Sequence, residues 1–351
     1  MSCSVFIRWR FFFHSVTGII QPLSSIYAKI LPEIIVVGIL NTNRFRDLSP
    51  VKVPKGHPFI DDQSSAVSGG GRKTISFIEK ELMPYIDAKY PSLSYKTFVG
   101  HSLGGLLVMD TLLEKPELFN AYVSIDPSVW LNYQRIVKKA KNIKFGERYK
   151  NKSLFIGIAN TMNNGVDTTS VKKDTTYNTT SINIRSTLKL NSILKNNKQK
   201  KLVYKSQYYE NDTHGSVPLI ATYDAFRFIF NFYDFKLDSN DFLNEKTDIF
   251  NKVVNHYKQI SKAYGVEIKP DKDHINGLGH NFIYIKNYQK AKQFFELNIL
   301  NYPESADVFD SMGDLYLTLD NKEKAIEHFK KSIALNKDSV SKIKLENLLK
   351  E

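Results

Sequence analysis

Gly100-His101-Ser102-Leu103-Gly104-Gly105 places a serine two residues from a glycine on either side, the pattern G-x-S-x-G. A serine hydroxyl is a poor nucleophile until a sharp strand-to-helix turn exposes its oxygen and a neighbouring base takes its proton. Side chains in place of Gly100 and Gly104 would collide with the adjoining strand or helix, which is why this spacing belongs to such a turn. In the same turn the N–H of Leu103 opens a helix and faces the point where an acyl oxygen would gather negative charge. His101 and Leu103 are therefore candidates for substrate contact, with Ser102 as candidate nucleophile.

The proton must go to a base. Of eight histidines, His14, His57 and His101 precede the serine, and His256, His274, His280 and His328 fall in a region that reads as helices only. His214, in Asn211-Asp212-Thr213-His214-Gly215-Ser216, follows an apolar strand in a polar turn and precedes a helix, as a base-bearing loop requires. The third member of a triad is an acid that fixes the imidazole tautomer, expected in the loop after the strand Leu154 to Ala159. Asp167 and Asp174 both lie there, and Asp167 is preferred because it is nearer the strand end. A Ser-His dyad without an acid is the alternative, and Asp126 a less favoured fallback. Asp126-Pro127-Ser128 reads instead as pocket wall, with Trp130 offering an aromatic face to substrate.

The elements that must position these residues follow from patterning. Ile34 to Ile39 is a short β-branched apolar run of the kind buried on both faces of a parallel sheet. Asn41 to Pro50 and Pro54 to Arg72 read as a long polar excursion. Thr74 to Lys89 has helical spacing, Tyr95 to Gly100 reads as a strand, and Leu103 to Leu113 as a helix ending before Pro116. Tyr122 to Ile125, Leu154 to Ala159 and Leu202 to Tyr209 are further strands; Asn160 to Thr180 reads as a surface loop and Tyr223 to Tyr233 as a buried helix. Strands alternating with helices predict an α/β fold with a mainly parallel sheet and its site at the carboxyl ends of the strands. Beyond Asp241 the pattern is helical only. Gly279, Phe282, Ala291 and Phe295 recur as Gly313, Tyr316, Ala325 and Phe329, each offset by 34 residues, the tetratricopeptide (TPR) period. Pro303 has Lys337 at the corresponding place. The expected organisation is an atypical segment 1–12, an α/β domain 13–238, and a helical domain 239–351 with repeats at about 272–305 and 306–339.

At 351 residues, two domains is the natural expectation. With 42% hydrophobic and 24% charged residues the chain is neither disordered nor membrane-embedded in bulk. The net charge of +13 brings no stripe of interleaved aromatics with it, so nucleic-acid binding is not expected. Cys3 is the single cysteine, which excludes an internal disulfide and a multi-cysteine metal site. Met1 to Ile20 lacks the layout of a signal peptide, and Ile34 to Leu40 is far too short to span a bilayer.

These residues resemble the esterase family that includes enterochelin esterases and S-formylglutathione hydrolases, in a bacterial subgroup carrying C-terminal TPR repeats. The resemblance runs from about Phe13 to the end and rests on PEIIVVGILNTNRFRDLSP, FIEKELMPYIDAKYP, FVGHSLGGLLVMDTLLEKPELFNAYVSIDPSVW, NDTHGSVPLIATYDAFRFIF and the repeat segment. It implies an α/β-hydrolase fold and ester or thioester hydrolysis through an acyl-enzyme, with neither metal nor organic cofactor. The nucleophile then falls on Ser102, the base on His214 and one oxyanion donor on the Leu103 backbone. Its implied partners are a small-molecule ester and, through the repeats, a protein. Family members have further strands before Ile34, one of which ends in a turn that supplies the second oxyanion donor. Met1 to Arg10 stands there instead and is not expected to replace them. The chain thus reads as a truncated form of a longer, exported esterase, cytoplasmic as given, and a catalytically impaired interaction module is the alternative function.

Overall fold

In the computed structural model, which describes residues 2–6, 12–25, 28–174, 179–199, 201–244 and 246–350, the apolar runs pair as one six-stranded sheet with every pairing parallel. Its strands are β1 (Ser2–Phe6), β2 (Ile34–Gly38), β3 (Lys96–His101), β4 (Ala121–Ile125), β5 (Ser153–Ala159) and β6 (Val203–Tyr209), in the order β2-β1-β3-β4-β5-β6. β3 and β4 are buried along their whole length, as interior strands covered by helices on both faces must be.

Two sequence expectations are corrected here. The N-terminal segment was not expected to stand in for early strands, yet Ser2–Phe6 forms one, pairing with β2 on one side and β3 on the other. About five residues suffice for a strand, and a neighbour on each side satisfies the backbone groups that a short segment could not satisfy alone. β2, expected to be buried on both faces, is half-buried throughout, because it is an edge strand with a single neighbour. The alternating exposure of β6 fits the opposite edge.

Helices connect the strands: α1 (Phe13–Leu23), α2 (Arg44–Leu48), α3 (Leu103–Glu114), α4 (Leu131–Asn142), α5 (Thr168–Lys173), α6 (Thr179–Lys195) and α7 (Val217–Ile229). The polar excursion after β2 is not structureless. Asn43 and Asp61 cap α2 and a further short helix, Asp62–Val67, through their side chains. The helix read at Thr74 to Lys89 spans 71–89 with a π-helical turn at Ile78–Leu82. The loop read at Asn160 to Thr180 contains α5, and α7 starts at Val217, ahead of the expected Tyr223, with Pro218 in its first turn.

The chain divides into two compact units, Met1–Phe235 with Ala263–Gly265, and Lys236–Lys262 with Val266–Glu351. The second contains α8 (Lys272–Tyr284), α9 (Tyr288–Asn301), α10 (Ala306–Thr318), α11 (Lys322–Leu335) and α12 (Ser341–Leu348). The repeated residues touch one another. A Cβ on Gly279 would come within 2.3 Å of the Phe295 ring, and one on Gly313 within 2.4 Å of the Phe329 ring. Each glycine thus lets the buried phenylalanine of its partner helix lie against bare backbone.

Candidate active site

Ser102 joins β3 to α3 at φ +61°, ψ −120°. That backbone is costly for a residue with a side chain, and such strain persists where the surroundings impose it. Here the Ser102 N–H donates to the Ile125 carbonyl at 3.0 Å, and the Ser102 carbonyl accepts from the N–H groups of Leu106 and Ser128 at 2.9 and 3.1 Å. A Cβ on Gly100 would lie 2.3 Å from the Gly104 carbonyl, and one on Gly105 would lie 3.1 Å from Pro127. Strand and helix can therefore approach as the turn demands only where those side chains are missing. Leu103 is the first residue of α3, so its N–H is one of those a helix cannot satisfy internally, while its side chain is buried in the core.

His214 lies between β6 and α7 in a braced loop. The Ser216 hydroxyl donates to Asp212 at 2.8 Å and accepts from the Thr213 N–H at 3.0 Å, and the Asp212 carbonyl accepts from the Asn160 N–H at 2.8 Å. The imidazole Nδ1 is 2.5 Å from Asp126 Oδ2. Asp126 follows β4 directly and its side chain is fully buried. The same Oδ2 accepts from Asn183 Nδ2 at 2.9 Å, and Oδ1 accepts from the Ala159 N–H at 3.3 Å. A carboxylate held by these donors is fixed in position and can hold one imidazole tautomer. The His214 ring centroid lies 4.4 Å from that of His101, the residue preceding Ser102.

Asp167, the preferred acid of the sequence reading, does not meet His214 in this arrangement. It caps α5, accepting from the N–H groups of Thr169 and Ser170 at 3.0 and 2.6 Å. Those donors, Ser170 first, hold its carboxyl below the usual carboxylate range. Asp174 accepts from the Ser181 hydroxyl and pairs with Arg185. Proximity to the end of β5 favoured Asp167 in the sequence, but the carboxylate that reaches the imidazole comes from the end of β4. The available signal was an aspartate placed directly after a buried strand, at the carboxyl end where sites form.

Sequence reading also missed Arg44. Asn43 caps α2, and Asp47 accepts from the N–H groups of Thr42 and Asn43 at 3.0 and 2.9 Å, which orients the start of the helix. Burial pushes the Asp47 carboxyl up, but the Arg46 side chain, the Asn43 N–H and the Thr42 hydroxyl outweigh it and hold it low. Arg44 Nη2 then donates to Ser102 Oγ at 3.1 Å. Ser128 Oγ lies 3.3 Å from the same oxygen, and His214 is not among its hydrogen-bond partners. Trp130, two residues beyond Ser128, packs against His57 with ring centroids 5.8 Å apart. His57 also meets Phe59 and Tyr133, and burial holds its imidazole below the ordinary histidine value. Among the described residues no group of three or more His, Cys, Asp or Glu side chains could hold a metal, and no helix is long and apolar enough to cross a membrane.

A parallel sheet, a serine at a strained strand-helix turn and a histidine beyond the last strand agree with the family whose model, described as "Putative esterase", matches residues 18–215. The chain belongs to this esterase family. A tetratricopeptide-repeat model matches residues 306–339, the second repeat read from the 34-residue offset. The chain is 37% identical over 75 residues to the siderophore triacetylfusarinine C esterase of Aspergillus fumigatus, covering 21% of this chain and 26% of that protein. It is 36% identical over 92 residues to the ferri-bacillibactin esterase BesA of Bacillus subtilis, covering 26% of this chain and 32% of that one. The match therefore spans under a third of the length of either curated relative. Among solved structures, the IroE-like serine hydrolase from Shewanella oneidensis superposes with a TM-score of 0.63 at 25% identity, over 85% of this chain and 88% of that one. An uncharacterised protein from Capnocytophaga ochracea shares the fold across 100% of this chain and 91% of its own, with a TM-score of 0.65 at 16% identity. This esterase-family chain thus has an α/β-hydrolase-like domain followed by an all-helical TPR region.

Proposed function

We propose that this chain is a serine esterase that cleaves carboxylic esters through an acyl-enzyme, with Ser102 as nucleophile, His214 as general base and Asp126 as the orienting acid. The observation that carries the reading is the 2.5 Å contact between His214 and the buried Asp126, made beside a serine whose backbone is held in a strained turn. Nδ1–H donating to Asp126 leaves Nε2 unprotonated, the tautomer a base needs. Ser102 Oγ attacks the acyl carbon as its proton passes to Nε2, and the tetrahedral intermediate then expels the alcohol, which takes that proton. Water repeats the sequence on the acyl-enzyme and releases the acid. The Ser102-to-His214 hydrogen bond forms on substrate binding, since such bonds are often long or misaligned without substrate. The Leu103 N–H donates to the oxyanion. Arg44, which already reaches the serine oxygen, supplies a second, charged donor.

A fluorophosphonate probe tests this reading. It is expected to label the wild-type chain and spare Ser102→Ala, and labelling independent of Ser102 would refute the assignment. A second reading, a protein-interaction module with an impaired hydrolase domain, draws on Ser102 Oγ being engaged by Arg44 and Ser128 rather than by His214. Failure to hydrolyse any p-nitrophenyl ester would favour it.

A further inference from the structure

Charge is distributed unevenly along this chain. Residues 135–201 contain sixteen Lys and Arg residues against three acids, Glu147, Asp167 and Asp174, so the entire +13 excess arises in this one segment. The remainder of the chain is balanced. Folding gathers part of this excess around a concave surface. A groove of about 650 Å³ runs along α6, with Lys172, Arg185, Lys189 and Lys195 in its lining beside Asn191 and Ser192. Among the described residues, no carboxylate lies within ion-pair distance of Lys172, Lys189 or Lys195; Arg185 pairs with Asp174 at 3.2 Å.

Gln134, the last residue of an unusual turn, also lines the groove. Asn132, Tyr133 and Gln134 are three consecutive residues at φ +51°, +54° and +59°, each in a conformation that costs an L-residue on the order of 1–2 kcal/mol. This brings the Gln134 amide across α6, where its nitrogen donates to Ser186 at 2.9 Å and its oxygen accepts from Lys189 at 3.4 Å. Asn183 and Thr187 face the other way, toward Asp126 and the Pro127 carbonyl at 2.9 and 3.5 Å. One helix width, about 10 Å, therefore separates the cationic lining from the acid that holds His214.

We propose that this groove is a binding site for a small, multiply charged anion carrying several carboxylate, phosphate or comparable groups. Cations spaced from Lys172 to Lys195 attract charge distributed over a ligand more strongly than a single anion. Concavity also favours a compact ligand over a flat membrane surface. The anion is either the charged portion of the ester that Ser102 cleaves, in which case this rests on the esterase reading, or a separate small molecule.

The test uses the full chain and benzene-1,2,4,5-tetracarboxylate as probe, with binding followed by calorimetry. Wild type and Ser102→Ala are expected to bind equally, with affinity falling as salt is raised. The Lys172→Glu/Lys189→Glu/Lys195→Glu variant is expected to lose at least about ten-fold. Equal binding by that variant overturns the proposal. So does an equal loss in Lys138→Glu/Lys141→Glu/Lys144→Glu, which would indicate diffuse surface charge, and so does binding to phosphatidylserine vesicles without binding of the probe. Kinetics then distinguish the sources. A rise in KM confined to esters bearing several carboxylates, with p-nitrophenyl acetate turnover unchanged, identifies the anion as substrate; unchanged kinetics with lost probe binding identify a separate ligand. If no variant or wild type hydrolyses p-nitrophenyl acetate, the esterase reading fails while the binding result stands by itself.

Discussion

Three carboxylates competed for one role, and the three sit in different environments. Asp126 is fully buried with its oxygens accepting from Asn183 and Ala159 while contacting His214, whereas Asp167 is an exposed helix cap. Replacing Asp126 with Asn keeps the shape but allows the opposite imidazole tautomer, so turnover of a p-nitrophenyl ester should fall by about 10⁴-fold with the fold intact. Asp167→Ala should leave turnover within about two-fold of wild type and cost at most about 1 kcal/mol by denaturant unfolding, the worth of an N-cap. An inverted result would return the acid's role to the loop after β5. Of the proposed site residues, Ser102 and His214 could be named from the sequence because each stands in a local context that its proposed chemistry demands. Asp126 was visible as a residue but ranked low, and Arg44 was not singled out at all. Its contact with Ser102 bridges 58 positions of sequence, and no local pattern encodes such a pairing.

At the level of elements, the strand-turn-helix around Ser102 works by close approach. Gly100→Ala would drive a methyl group to 2.3 Å from the Gly104 backbone. Backbone cannot step aside as a flexible side chain can, so the strand or α3 must shift, at a cost of about 1–3 kcal/mol. The expected outcome is a lower denaturant midpoint together with much slower fluorophosphonate labelling; unchanged labelling would mean that the turn does not depend on this contact. Five of the six strands and α3 could be read directly because apolar runs, glycines and a following proline mark them locally. Short helices such as α2 could not, because they are set by single capping residues inside an otherwise polar, turn-rich stretch.

For the molecule as a whole, the two compact units predict separable effects. Gly313→Ala gains about 1 kcal/mol of helix propensity but sets a methyl 2.4 Å from the ring of fully buried Phe329. Overpacking of about 1–3 kcal/mol should prevail. Thermal unfolding followed by circular dichroism should show a lowered helical transition, while Ser102 labelling proceeds at the wild-type rate. Slower labelling in this variant would show that the repeats support the α/β domain.

The sequence by itself determined the α/β class, the strand-to-helix turn at Ser102 and the helical repeats, because periodicity, turn chemistry and a fixed 34-residue offset are properties of neighbouring residues. The tertiary structure alone decided strand order, the place of Ser2–Phe6 between β2 and β3, the contact of Asp126 rather than Asp167 with His214, and the approach of Arg44 to the serine. Each of these depends on which distant segments a parallel sheet brings side by side, and parallel strands are joined by crossovers whose spatial order leaves no mark on any short stretch of chain.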